Sequence, residues 1–198
     1  GIFLLHEITK HSLDNVLSAG ERLSSRIISA YLENSIYVDS RDLIKVDTTT
    51  GNSIVDFKIT HNLIREKIGT LPQLTLVPGF IAGTMKGETT TLGRGGSDYT
   101  AAIIAAALEA KVLEIWTDVE GFMTADPKKV EKAYTIENLT YAEAMELSHF
   151  GAKVIYTPTL RPVYKARIPV MVRNTFNPES KGTLINGDVP DEGRSPIK

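Results

Sequence analysis

The sequence contains no cysteine. That excludes a disulfide framework, a thiolate nucleophile and any cysteine-based metal site. It is compatible with a reducing compartment without demonstrating one. No apolar run approaches the roughly 18 residues that a membrane-spanning helix needs. Gly1 to Leu5 lacks the basic flank and small-residue cleavage site of a signal peptide. Excess charge of one sign is missing too: 22 basic side chains against 24 acidic ones leave a net charge of −2 and a pI near 6.1. Nothing in that balance calls for nucleic acid or an anionic membrane as partner. What remains is 198 residues, 42% hydrophobic and 23% charged, an ordinary globular composition for one sizeable domain or most of one.

The stretch around which the rest is arranged runs from Thr91 to Thr100. A β-rich approach, Thr89 to Leu92, turns through Gly93, Gly95 and Gly96 and enters Ala101 to Leu108. That last run is apolar nearly all round, which predicts a buried helix. Strand, glycine turn and helix together aim free backbone N–H groups and the positive end of a helix dipole at one point, where an anion is stabilised. Arg94 adds a fork of donors suited to a carboxylate or phosphate. Asp98 repels anions and suits a cation or an ammonium group. The competing reading is an ordinary tight turn with Ser97 as N-cap, because a bare glycine motif of this length is common.

Along the chain, His11–Leu17 reads as a weak helix, and Ser18–Glu21 leads into a second one from Arg22 to Leu32. Leu23, Ile27, Ala30 and Tyr31 share one face of it. Glu21 sits in its first turn, where the dipole alone accounts for a carboxylate. Ser35–Asp39 and Leu43–Val46 read as strands, and Thr48–Asn52 as a turn. Ile59–Ile68 reads as a helix with Leu63, Ile64 and Ile68 inward. Leu74–Phe80 reads as a strand covered on both faces. Gly83–Gly87 lacks phosphate-loop spacing and reads as a surface turn. Val112–Trp116 is a strand ending at Thr117 and Asp118, where ligands sit in open α/β sheets; a turn before Gly121 explains Asp118 equally well. Gly121–Lys129 is a loop bearing positive charge. Thr140–Glu143 is a capping box for a helix from Tyr141 to about Ser148, with Gly151 as its stop. Thr157–Pro158 is an N-cap and first-turn pair, Pro162 strains the helix that follows, and Ile168–Arg173 is a final strand. Asn186–Lys198 reads as linker.

In register, these pieces resemble aspartate kinase, of the amino-acid-kinase family. The resemblance rests on Gly20–Ser24, Gly79–Gly83, Leu92–Ala102, Ile115–Asp118 with Gly121, Ala125–Pro127, Glu143–Val154 and Gly182–Leu184. The run Glu143–Lys153 looks most like enzymes fused to homoserine dehydrogenase. The resemblance implies an α/β fold, a three-layer αβα sandwich with a largely parallel sheet, over residues 1–185. Residues 186–198 would lead toward a regulatory domain. It implies transfer of the ATP γ-phosphoryl group to the β-carboxylate of L-aspartate, the first step toward lysine, threonine and methionine. It also implies Mg²⁺ held mainly by nucleotide phosphates, a cytoplasmic location and a homo-oligomer. Such chemistry needs no general base, because a carboxylate is already ionised at neutral pH.

By the same resemblance, Arg94 clamps a substrate carboxylate, and Glu21 and Asp98 suit its ammonium. Ser97 lies near the transferred phosphoryl together with the amides of Gly95 and Gly96. Thr117, Asp118, Met123, Lys128 and Lys153 match nucleotide contacts. Lys128 stands where the family usually has arginine and Met123 where it has tyrosine. The Lys-Phe-Gly-Gly-Thr-Ser segment of family members has no match here, so the expectation is that this piece alone has little or no kinase activity. Rivals are acetylglutamate, glutamate or uridylate kinase, and a non-catalytic nucleotide-binding module. A Rossmann dehydrogenase is excluded by the spacing of Gly93–Gly96.

Overall fold

The structure is a computed structural model and describes residues 9–49, 53–71, 74–149 and 154–187. The chain divides into two compact units, residues 1–108 and 109–198.

The first unit opens with α1 (Lys10–Tyr31), started by Thr9, whose hydroxyl oxygen accepts the Ser12 N–H. The sequence predicts two helices here and the structure has one. Gly20 does not break it, because a mid-helix glycine costs only about 1 kcal/mol. The helix is tied down by Asp14, which accepts the hydroxyls of Thr90 and Thr91 at 2.9 Å each. The buried side chains of α1 are polar: Asp14, Ser18 and Ser25. Leu23, Ile27 and Tyr31 are 62%, 60% and 86% exposed, so the apolar stripe faces outward.

After α1 come β1 (Ser35–Tyr37), the single helical turn α2 (Ser40–Leu43), β2 (Lys45–Asp47), β3 (Ile54–Val55) and α3 (Phe57–Ile68). The expected strand at Leu43 therefore begins two residues later. The Asp39 side chain accepts the Arg41 N–H at 3.1 Å and starts a helical turn first. Asp56 caps α3 in the same way through the Ile59 N–H. β4 (Leu74–Leu76) pairs with β1 in parallel. Its Leu74 is 56% exposed, not covered on both faces as the sequence suggests. β1 and β4 form a two-stranded sheet, too narrow to bury both sides. β5 (Ile81–Thr84) and β6 (Thr89–Thr91) form a hairpin turned by Gly87 at φ +82°. Gly83 lies in buried β5 and only the tip of the expected turn is exposed. The four-stranded order is β3-β2-β5-β6, with β2 and β5 parallel. α4 (Gly96–Ala107) closes the unit. Its Ile103 and Ala107 pack with Ile44, Val46, Ile64 and Ile68 in one apolar core.

The second unit contains β7 (Leu113–Thr117), β8 (Asn138–Thr140), α5 (Tyr141–His149), α6 (Thr157–Ala166), β9 (Val170–Asn174) and β10 (Thr183–Asn186). Their sheet runs β7-β9-β10-β8, with β9 and β10 antiparallel and the other neighbours parallel. Four of the seven strand pairs among the described residues are parallel. The α/β class holds, with mixed sheets. The capping box forms as expected: the Thr140 N–H donates to Glu143 Oε2 at 2.8 Å and the Glu143 N–H to Thr140 Oγ1 at 3.2 Å. The stop expected at Gly151 lies outside the described residues. α6 starts one residue earlier than read, with Tyr156 as N-cap, and continues through buried Pro162. Ile168–Arg173 is not the last strand; β10 follows it and includes Asn186, which the sequence assigns to linker.

Candidate active site

The turn into α4 has left-handed glycines at Gly93 (φ +72°) and Gly95 (φ +67°). Gly95 is the N-cap and no side chain caps the helix. Ser97 is therefore already in the first helical turn and does not act as the cap. The Gly96 N–H donates to the Gly93 carbonyl at 3.1 Å and the Tyr99 N–H to the Gly95 carbonyl at 2.9 Å. The N–H groups between them, on Ser97 and Asp98, have no acceptor among the described residues. This is the supply of orphan donors and positive dipole that the sequence motif predicts.

Asp98 lies in the same turn, half-buried. Among the described residues it has no hydrogen-bond or ion-pair partner, and burial pushes its carboxyl above the ordinary aspartate value. Such a group gains most from an incoming cation. Glu21, on α1, accepts the Gly79 N–H at 3.3 Å. Gly79 in turn packs on the helix start: a β-carbon there would lie 2.9 Å from the Ser97 Cα. Glu21 and Ser97 are thus brought together through one glycine. Arg94 stands exposed in the glycine turn and makes interactions of its own. A separate cavity of 220 Å³, lined by Lys10, His11, Asp14 and Thr90 among others, shares none of these residues.

In the second unit, Thr117 ends β7, and its hydroxyl donates to Asp118 Oδ1 at 3.3 Å. Its carbonyl accepts the Thr175 N–H. Met123 is partly buried and bridges to Thr135. Lys128 is exposed in a turn closed by its N–H to Asp126 Oδ1 at 3.0 Å. Lys153 lies outside the described residues. No group of three or more His, Cys, Asp or Glu side chains suited to a metal ion forms among the described residues.

Sequence reasoning missed Phe80. Pro78–Gly79 marks a turn, yet nothing local signals that the next residue adopts φ +68°.

Among the described residues, the start of α4 thus offers unpaired amides, an unpartnered acid in the same turn and a second acid brought to it through Gly79. The amino acid kinase family profile matches residues 4–174, and the chain belongs to that family. Among its relatives, the bifunctional aspartokinase/homoserine dehydrogenase of Buchnera aphidicola is 38% identical over 93% of the chain. That of Haemophilus influenzae is 42% identical over 87%. The chain spans 23% and 22% of those two proteins. The crystal structure of E. coli aspartokinase III in complex with aspartate and ADP superposes with a TM-score of 0.84 at 35% identity, over 92% of this chain and 42% of that one.

Proposed function

We propose that the chain is part of the catalytic domain of an aspartate kinase, which transfers the γ-phosphoryl group of ATP to the β-carboxylate of L-aspartate. One observation carries this reading: groups of both signs meet at the start of α4. Orphan amides lie there beside unpartnered Asp98, and Glu21 is held against Ser97 through Gly79. An amino acid with an extra carboxylate requires that mixture. The relative solved with aspartate and ADP supports it.

The roles follow from the chemistry. Glu21 and Asp98 take the substrate ammonium, and Arg94 clamps a carboxylate as a planar fork. The attacking β-carboxylate is ionised at neutral pH and needs no base. Catalysis is then positioning plus charge stabilisation of a loose transition state. Ser97, Gly95 and Gly96 would line the transferred phosphoryl, with the unpaired Ser97 and Asp98 N–H groups as donors, since the Gly93 carbonyl already takes the Gly96 N–H. Thr117, Asp118, Met123, Lys128 and Lys153 would contact the nucleotide. Mg²⁺ fits this chain only as an ion carried in by the nucleotide, held by phosphate oxygens and water, and it would neutralise the phosphate charge. The same reading gives threonine- and lysine-directed biosynthesis, a cytoplasmic place and a homo-oligomer. No described helix is long and apolar enough to cross a membrane.

The test is aspartate-dependent ADP release by the complete polypeptide, against a panel of acetylglutamate, glutamate and uridylate. Turnover with aspartate above all others is expected. Preference for another acceptor, or none, would overturn the assignment.

A further inference from the structure

Phe80 is the central residue of a three-residue turn. The Ile81 N–H donates to the Gly79 carbonyl at 2.8 Å, and Phe80 has φ +68°. A γ-turn of this hand is rare and strained, because the β-carbon of an L-residue is crowded there. Glycine would adopt it freely. A phenylalanine kept at such a position must return something through its ring.

The ring lies against Gly96, the first residue of α4. A β-carbon on Gly96 would sit 2.9 Å from Phe80 Cδ2 and 3.2 Å from Phe80 Cα. The backbone of the turn is fixed from both sides. The Phe80 N–H donates to Thr100 Oγ1 at 3.1 Å, and that hydroxyl donates to the Gly96 carbonyl at 2.8 Å. The Leu92 N–H donates to the Phe80 carbonyl at 2.8 Å. One residue earlier, Gly79 gives its N–H to Glu21 and packs on Ser97. Gly79–Phe80 therefore stands between the Glu21 carboxylate and the helix start, touching both.

We propose that Phe80 is a positioning residue, whose left-handed turn and ring together set the spacing between Glu21 and the Gly96–Asp98 turn, and through it the affinity for the amino-acid substrate. The substrate half of this inference rests on the aspartate-kinase reading above. The ring acts as a shim, the turn keeps the Gly79 N–H aimed at Glu21, and neither group need enter the chemistry.

Three variants of the complete polypeptide separate the parts. Phe80→Gly keeps the turn accessible and removes the ring. Phe80→Ala removes the ring and keeps the backbone crowding. Phe80→Leu retains most of the bulk. The readouts are amide hydrogen exchange at Gly79 without ligand, the KM values for aspartate and for ATP, and the unfolding midpoint. The expected result for Phe80→Gly is faster exchange at Gly79 and an aspartate KM raised about tenfold or more, with ATP KM within about twofold, as sub-ångström misplacement of a clamp implies. Phe80→Leu should recover most of both effects. Unchanged exchange at Gly79 in both Phe80→Gly and Phe80→Ala would overturn the proposal. So would aspartate and ATP KM rising together in step with lost stability. If the unaltered protein phosphorylates no aspartate, the functional reading falls. Exchange at Gly79 then decides by itself whether Phe80 sets this spacing.

Discussion

Thr183, at the start of β10, ties two parts of the second unit together through one hydroxyl. The residue is fully buried. Its Oγ1 accepts the Phe122 N–H at 2.9 Å and donates to the Ile136 carbonyl at 2.7 Å. Gly121 packs directly on it, at φ +110°. Thr183→Val keeps the shape and removes the hydroxyl, leaving one buried donor and one buried acceptor unpaired. At about 1–3 kcal/mol for each orphaned group, the loss is about 2–6 kcal/mol. For a chain of this size, roughly 2–4 °C per kcal/mol turns that into a fall in melting temperature of about 4–24 °C. Thr183→Ser is the control. It keeps both hydrogen bonds and gives up one methyl, about 0.8 kcal/mol. Thermal unfolding followed by circular dichroism reads the pair. A valine variant as stable as the parent, or more stable than the serine variant, would refute the reasoning, because apolar volume and not the hydroxyl would then hold this junction.

Acid should weaken the first unit through Asp39. Burial pushes its carboxyl up, but the Arg41 hydrogen bonds at 2.7 and 2.9 Å and the Arg41 charge outweigh that and hold it below the ordinary value. Its stabilisation is therefore complete above about pH 4 and lost as pH falls through the lowered folded value, so Asp39→Asn should flatten the acid limb of the unfolding midpoint against pH. Glu143→Ala removes the return half of the capping box and should cost about 1 kcal/mol in chemical denaturation, while Glu143→Gln keeps most of it. Arg94→Lys retains the charge but loses the fork, so steady-state kinetics should show aspartate KM up about tenfold with ATP KM little changed.

What the sequence made legible was chemistry confined to a few neighbouring residues. The Thr140–Glu143 box and the glycine turn form as read, and the apolar run from Ala101 forms a largely buried helix that ends at Ala107, with Leu108 as an exposed C-cap, because each is decided by local hydrogen bonds or by composition. The strand read over Val112–Trp116 forms one residue later, over Leu113–Thr117, with Leu113 and Ile115 buried while Glu114 and Trp116 alternate outward. β8 and β10 were not legible. They are three and four residues long, and the partners that define them are 46 positions apart in the parallel register of Leu184 with Asn138. No local pattern carries that pairing.

α1 shows a second limit, different in kind. Periodicity correctly marked Leu23, Ile27 and Tyr31 as one face, but it cannot say which face meets the sheet. Asp14 decided that: a carboxylate taking two threonine hydroxyls from β6 fixes the helix with its polar side inward. Burying that carboxylate is tolerable because charge-assisted hydrogen bonds are the strong ones. The same reversal explains how Glu21, seven residues farther on and therefore close to the same face, reaches Gly79 at the candidate site. A helix placed by its apolar stripe would have carried Glu21 away from the glycine turn. The polar anchor on α1 and the acid at the site are two consequences of one orientation, which only the folded chain reveals.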